Sequence, residues 1–373
     1  MTEPLPTVPM GNTELTEDEI EAALAALRSG QLRQGAEVSA FENAFAEFVG
    51  VPHAVACSSG TAALHIAFHA LLSPGDEVLV PAFTFIATAS AVVMAGGVPV
   101  LCDVNADDYN LDLERALSQV TSRTRAACVV PLFGHPIDAP ALAEFQRQFS
   151  GAVVGDCAQA LGSLDTEGRA LDARVDAVTH SFYPSKNLFV GEGGMITTTE
   201  GSCAAQYRRL RSHGRTGPHY HEELGFNYRM SEVEAAIGRC QLPKVQRRAK
   251  RRREIAAHYA SELGDLPGVR LPSDPVTGTH SYHQYTLRLD PEVLDRERFS
   301  AGLAERKILS AVHYPRGLHE QPALEGRSRT PLRLPVTEAL CRSVLSIPVH
   351  AGLSDGEVER VVAAVRHCAG GTR

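Results

Sequence analysis

Two segments of this 373-residue chain carry residue types that could do covalent chemistry. The first is Ser181-Phe182-Tyr183-Pro184-Ser185-Lys186-Asn187-Leu188, just ahead of Gly191-Glu192-Gly193-Gly194. It sets one lysine among small, hydroxyl and aromatic residues, between an apolar run (Asp176 to Phe182) and a glycine-rich turn. A lysine at a strand end is ordinarily solvated, because lysine is rarely buried. The sharper reading is a Schiff-base lysine, which needs a desolvated pocket and a carbonyl cofactor. The second segment, Ala152-Val153-Val154-Gly155-Asp156-Cys157-Ala158-Gln159-Ala160, is an apolar strand-type run that ends in a carboxylate. In a parallel sheet that carboxylate projects at the carboxyl end of a strand, where α/β folds bind their ligands. Such an Asp either caps a helix or serves a bound group. Pyridoxal phosphate needs both residues: an amine for its aldehyde, and an ionised Asp that keeps its pyridine nitrogen protonated so that the ring withdraws electrons.

The elements around these segments follow from pattern. Thr16-x-x-Glu19 reads as a capping box opening a helix that Gly30 closes. Val38, Phe41, Phe45 and Phe48 recur at helical spacing, giving a second helix. Ala54 to Cys57 reads as a buried strand, followed by Ser58-Ser59-Gly60-Thr61 and an apolar helix from Ala62 to Leu72. That order is either a plain connection or an anion site at a helix amino terminus. Pro74-Gly75 marks a turn. Alternation continues with strand Glu77 to Pro81, strand Val98 to Val104, helix Leu111 to Val120, strand Ala127 to Leu132, helix Ala139 to Phe149 and the Asp156 strand. It predicts an α/β domain, a mostly parallel sheet with helices on both faces. Pro243 should break or kink the chain between two domains, 1–245 and 246–373. The second part reads as a smaller α+β domain: a strand around Tyr282 to Arg288, a helix from Arg296 to Arg306, a strand from Ile308 to His313, and a last helix capped by Ser354-x-x-Glu357.

Composition narrows the class. Apolar content of 44% with 31 Gly suits a globular chain with a large core, and about 150 residues per domain allows two or three domains. A net charge of −8 disfavours nucleic acid, so the basic run Arg247 to Arg253 reads as a solvated helix face. The eight Cys form no CxxC pair, which points away from zinc or a disulfide framework and suits a reducing cytoplasm. His219 and His221 lack a third ligand nearby, so no metal is expected. The start Met1-Thr-Glu-Pro-Leu-Pro does not read as a signal peptide, and no apolar run approaches the ~20 residues of a membrane helix.

Asp156-x-x-Gln159 followed by Ser181-x-x-x-x-Lys186-Asn187 resembles the DegT-type sugar aminotransferases, pyridoxal-phosphate enzymes of the aspartate aminotransferase fold (fold type I). The resemblance runs from about Leu32 to about Val365 and includes Gly225-Phe226-Asn227-Tyr228-Arg229-Met230-Ser231. It implies a large domain with a seven-stranded-type sheet and a smaller carboxyl-terminal domain. It implies that Lys186 bonds the cofactor and shuttles protons, that Asp156 holds the ring nitrogen and that Phe85 stacks on the ring, with Phe83 left to the core. Gln159 would bond the phenolic oxygen or lie beneath the ring. Gly60, Thr61 and Ser181 would hold the phosphate, and Asn227 would reach the phosphate of a neighbouring subunit in a homodimer. Tyr183, Arg229, His313, Tyr314 and His319 would line the substrate mouth. The implied reaction moves an amino group from L-glutamate to a nucleotide-linked keto-deoxysugar, as in deoxysugar and antibiotic biosynthesis. Relatives on the same scaffold aminate inosose cyclitols from glutamine or make 3-amino-5-hydroxybenzoate, and a non-catalytic regulatory member is a further alternative. Sugar-dehydrating relatives carry His in place of this Lys. Four departures stand out: His135 where the family usually has Gln, Pro243 where a helix usually continues in relatives, Arg316-Gly317, and a short segment from Leu324 to Leu334.

Overall fold

The computed structural model describes residues 6–275 and 278–370; Met1 to Leu5, the start that does not read as a signal peptide, lie outside them. The chain opens with α1 (Glu17–Arg28) and α2 (Ala36–Val49). The α1 capping box is as expected, the Thr16 N–H donating to the Glu19 carboxylate at 2.8 Å. α2 buries Val38, Phe41 and Phe45, with Phe48 half-buried, and stops at Gly50, whose φ of 78° few other residues tolerate. Its amino terminus has no cap of its own. A distant side chain supplies it: the buried Glu232 carboxylate accepts from the N–H groups of Gly35, Glu37 and Val38 at 2.8, 2.9 and 3.0 Å.

Strands and helices then alternate: β1 (His53–Cys57), α3 (Gly60–Leu71), β2 (Glu77–Pro81), α4 (Ala87–Met94), β3 (Val98–Cys102), α5 (Leu113–Leu117), β4 (Thr124–Val129), α6 (Ala139–Gln148), β5 (Ala152–Asp156), β6 (Ala177–Ser181), β7 (Gly194–Thr198) and α7 (Gly201–Arg211). A hairpin, β8 (Arg215–Gly217) and β9 (Tyr220–His221), leads to α8 (Glu232–Gln241) and α9 (Val245–Leu263). The rest is β10 (Val269–Arg270), β11 (Tyr285–Leu289), α10 (Arg296–Glu305), α11 (Pro335–Ser343), β12 (Val344–Ile347) and α12 (Asp355–Gly370). Among the described residues the main sheet has seven strands in the order β1-β7-β6-β5-β4-β2-β3, with β7 alone running against the others. The antiparallel sheet β10-β11-β12 belongs to the smaller carboxyl-terminal part. Central strands bury both faces: Val78 and Val80 pack with α3 and α4, while Leu79 faces Leu142 and Phe145 of α6. Their parallel run brings the carboxyl ends of β1, β2, β4, β5 and β6 to one edge.

Several expectations are corrected. The helix expected over Leu111 to Val120 shortens to α5. No regular strand spans Ile308 to His313, which pairs only through the bridges Val8–Ile308 and Ala311–Ser346. The strand expected from Tyr282 begins at Tyr285, because Tyr282 has a φ of 46° and leaves the extended region. Pro243 kinks the chain through a 3₁₀ turn, Leu242–Lys244, between α8 and α9. The basic run lies in α9, but Arg252 is not solvated: it is buried, its Nη1 donating to the carbonyls of Tyr282, His283 and Val349 at 3.1, 3.2 and 3.0 Å. The proposed division at 245/246 follows the kink, and two segments cross it. Val8 packs in the smaller core with Ile255, Tyr259 and Val361, and Leu318, Leu324, Leu334 and Leu340 pack against the main sheet.

Glu232→Ala should cost about 2–3 kcal/mol of stability, because it leaves a partly buried helix start without its acceptor; urea unfolding of the apoprotein measures it.

Candidate active site

The sheet edge gathers the residues that could react. Asp156 ends β5, is 5% exposed, and accepts from the Thr88 hydroxyl at 2.8 Å and the Ala158 N–H at 3.2 Å. Burial raises its pKa, while those two donors and then Lys186 pull it down. Lys186 sits in the loop after β6, its N–H donating to the Tyr183 carbonyl at 2.9 Å. The next side chain anchors that loop, Asn187 Nδ2 donating to the Leu161 carbonyl at 2.9 Å. Burial lowers the pKa of the Lys186 amine, against the opposing pull of Asp156. The first is thus a carboxylate short of a cation, and the second an amine pushed toward its nucleophilic neutral form.

A second feature lies at the start of α3. The Ser59 hydroxyl caps the helix, accepting from the Ala62 N–H at 3.1 Å, and the first-turn N–H groups of Gly60 and Thr61 have no partner within the helix. Ser181, at the end of β6, closes over this turn: a Cβ on Gly60 would lie 2.7 Å from the Ser181 Cβ. A Cβ on Gly194 would run into the Ser59 carbonyl. Small residues therefore let three backbone segments meet around a helix amino terminus, which suits an anion such as phosphate. The remaining need is a cation beside Asp156. A protonated pyridine nitrogen would supply it, so these residues fit pyridoxal phosphate.

The other expected residues divide into groups. Gln159 is committed on both sides, its Oε1 accepting from the Phe133 N–H at 2.9 Å and its Nε2 donating to the Tyr314 hydroxyl at 3.1 Å. Phe85 is 55% exposed, with its ring 6.3 Å from that of Tyr314, while Phe83 is buried as expected. Tyr183 is exposed beside the lysine turn. His313 is half-buried, its pKa lowered by burial and by Lys186. His319 is also half-buried, with its ring against Gly317. Arg229 is half-buried and Asn227 exposed on the segment before α8, and among the described residues no hydrogen bond carries either side chain to the Lys186 loop. The departure at His135 is explained by the seam between the two parts: His135 is buried, its Nδ1–H donating to the Pro136 carbonyl at 2.9 Å, its ring 5.2 Å from His280. His219 and His221 are exposed, and no metal-holding group of acidic, His or Cys residues occurs among the described residues.

Two residues were not anticipated. Thr88 holds Asp156, and its signal was a buried hydroxyl, two residues from Ser90, within the otherwise apolar stretch Ala87 to Met94. His283 comes from the smaller part, is buried, and lies close enough to Lys186 for that charge to help lower its pKa after burial itself. Nothing local in Tyr282-His283-Gln284 marks it.

A lysine whose burial disfavours its charge, a buried carboxylate and a helix amino terminus suited to an anion, all on one edge of this sheet, fit a pyridoxal-phosphate enzyme of fold type I. The family description "DegT/DnrJ/EryC1/StrS aminotransferase family" matches residues 13–366. The chain is 36% identical over 334 residues to the UDP-N-acetyl-3-dehydro-alpha-D-glucosamine 3-aminotransferase of Acidithiobacillus ferrooxidans, covering 89% of this chain and 88% of that one. It is 37% identical over 359 residues to the dTDP-3-amino-3,4,6-trideoxy-alpha-D-glucose transaminase of Streptomyces venezuelae, covering 94% and 92%. The crystal structure of DesV of S. venezuelae in complex with a ketimine intermediate superposes with a TM-score of 0.93 at 35% identity, over 98% of this chain and 99% of that one. The chain belongs to the DegT/DnrJ/EryC1/StrS aminotransferase family. It is an aminotransferase, and its cofactor is pyridoxal 5′-phosphate.

Burial pushes His280 and His283 well below the ordinary histidine range. Below pH ~6.5 the unfolded chain takes protons that the folded one refuses, so stability falls with pH by up to about 1.4 kcal/mol per unit for each imidazole until the folded state titrates. Asp156, raised by burial, opposes this with a single proton. Apoprotein urea midpoints should therefore drop from pH 7.5 to pH 5.5, and less steeply in His283→Asn.

Proposed function

We propose that this enzyme moves an amino group from L-glutamate to the ketone of a nucleotide-linked deoxysugar, leaving 2-oxoglutarate behind. The observation that carries the reading is the placement of Lys186, in the loop after β6, on the same sheet edge as the buried Asp156 at the end of β5, close enough for their charges to interact. The relatives described above support the acceptor class, since both are named for amino groups carried on nucleotide-linked sugars.

Pyridoxal phosphate, when bound, supplies the electron-accepting ring and the carbonyl that carries nitrogen from donor to acceptor. The chain's residues do the rest. Gly60, Thr61 and Ser181 hold the phosphate, Asp156 keeps the proton on the ring nitrogen, and Thr88 keeps Asp156 in place. Phe85 covers a face of the ring, and Gln159, locked by Phe133 and Tyr314, borders it. Lys186 would hold the cofactor's carbonyl carbon through its Nζ. The free Nζ would take the proton from the donor's α-carbon, and a depressed pKa keeps that amine ready to accept it. Tyr183, Arg229, His313, Tyr314 and His319 face the sugar and its nucleotide.

The working form is a homodimer in which Asn227 completes the partner's phosphate site; its exposed side chain, with no hydrogen bond to its own lysine loop among the described residues, supports this. We assign the enzyme to the cytoplasm, a reading supported by buried, unpaired cysteines such as Cys57, Cys128 and Cys157. Among the described residues no helix is long and apolar enough to cross a membrane.

The test follows the visible absorption of the bound cofactor as L-glutamate is added, then screens nucleotide-linked ketosugars, inosose and aminodehydroquinate as acceptors. Glutamate should change the band and a ketosugar should restore it. Lys186→Ala should lose at least about 10³-fold in turnover. A response only to glutamine, with inosose restoring the band, would establish the cyclitol reading, and aminodehydroquinate turnover the aminohydroxybenzoate one. Cofactor that responds to no donor would leave a regulatory binding protein. Unchanged turnover in Lys186→Ala would overturn the assignment.

A further inference from the structure

The segment that displays Asn227 is buttressed by the helix that holds the chain's own phosphate turn. Phe226 and Tyr228 stack with ring centroids 4.9 Å apart and planes 12° from parallel. The two rings lie on one side of an extended segment, so Asn227 between them projects from the other, exposed side. Two histidines of α3, one turn apart, grip those rings: the His65 and His69 rings lie 4.6 and 5.1 Å from Phe226. His65 Nδ1 stands 3.2 Å from the Tyr228 hydroxyl. Burial and the neighbouring His69 lower the His65 pKa, which favours a neutral imidazole able to accept that hydroxyl proton. The backbone makes a second link, the Ser58 N–H donating to the Tyr228 carbonyl at 2.8 Å. Ser58 is the residue from which the turn to Gly60 and Thr61 departs. The other edge of the segment is fixed to the end of α7, where the N–H groups of Phe226 and Tyr228 donate to the Leu210 and Arg211 carbonyls at 2.6 and 3.1 Å.

We propose that His65 and Tyr228 are positioning residues that tie each subunit's phosphate turn to the Asn227 it lends its partner, so that the two cofactor sites of the dimer load cooperatively. The inference rests on the reading of Asn227 given above. Phosphate bound at Gly60 and Thr61 pins the turn from Ser58 onward. The pinned turn and α3 fix Tyr228, and with it the direction of Asn227, before the partner's site fills. By linkage, the effect is equal in the other direction, and about 5-fold between first and second site is the lower end of ordinary coupling.

The test titrates the apo-dimer with pyridoxamine 5′-phosphate, which forms no bond to Lys186 and so gives equilibrium affinities by calorimetry. The unaltered dimer should load with a Hill coefficient clearly above 1. Tyr228→Phe keeps the ring stack and the backbone link to Ser58 and removes only the hydroxyl; it should bring the coefficient clearly closer to 1 with the apoprotein melting temperature little changed. His65→Gln, which keeps an acceptor, should retain more cooperativity than His65→Phe. Non-cooperative loading of the unaltered dimer, or undiminished cooperativity in Tyr228→Phe, would overturn the proposal. Mixed dimers separate this from the underlying reading. In a dimer whose one subunit carries both Lys186→Ala and Asn227→Ala, the site retaining the lysine loses its neighbour's Asn227. If that site binds pyridoxal phosphate as tightly as before, Asn227 does not act in trans, and the reading falls together with the proposal. If it binds more weakly while the unaltered dimer loads without cooperativity, only the coupling fails.

Discussion

The structure depends on one costly arrangement, an aspartate enclosed at the end of a parallel strand with only neutral hydrogen-bond donors around it. The Thr88 hydroxyl and Ala158 N–H soften the cost without removing it, and burial still lifts the pKa of Asp156. The nearby lysine does not resolve it either, because the same burial drives Lys186 toward neutrality. Burial biases each group against its charged form, and the charge of each favours the charge of the other. A ring with a protonated nitrogen and an aldehyde answers both at once. The chemistry of these two groups thus selects the occupant, and the seven-stranded sheet brings that pair and the phosphate turn to one edge.

The smaller part is joined to this edge rather than set apart from it. Tyr314 bonds Gln159, His283 approaches Lys186, and Ser281 and His283 pack so close to Gly134 that a side chain there would strike them. Arg252 fixes this approach by gathering three carbonyls from two irregular segments. A buried guanidinium without a carboxylate partner is unfavourable by itself, and its pKa falls to about 10. It is tolerated because those carbonyls would otherwise lie buried without donors.

What the sequence revealed and what it withheld follow a physical division. Val78-Leu79-Val80 and Ala126-Ala127-Cys128 read as strands because every residue is buried whichever face it takes, so the signal is local. Lys186 and Asp156 were legible because their chemistry is uncommon beside small residues and at the end of an apolar run. The role of Arg252 was not, because a helix with consecutive basic residues looks solvated until two loops distant in sequence arrive over it. Tyr282 looked like part of a strand, since its left-handed backbone is imposed by packing against His280 and Tyr285 rather than by its own preference. Ile308 to His313 had strand composition but found partners at isolated positions only. His283 and Thr88 matter through what they face, which spacing along the chain does not encode.

The packing of Val8 sets an order of events during synthesis. Its N–H donates to the Lys307 carbonyl at 2.8 Å and its carbonyl accepts from the Leu309 N–H at 3.1 Å, while the Pro6 and Pro9 carbonyls accept from Arg360 and His350. These are among the earliest described residues to leave the ribosome, and their partners, from Lys307 to Arg360, follow only after the whole main sheet. The main sheet, whose strands end by Thr198, can assemble while this leading arm is still loose. Only when α12 has emerged can the arm dock and complete the smaller core, so this long-range closure is a late step in the birth of the molecule.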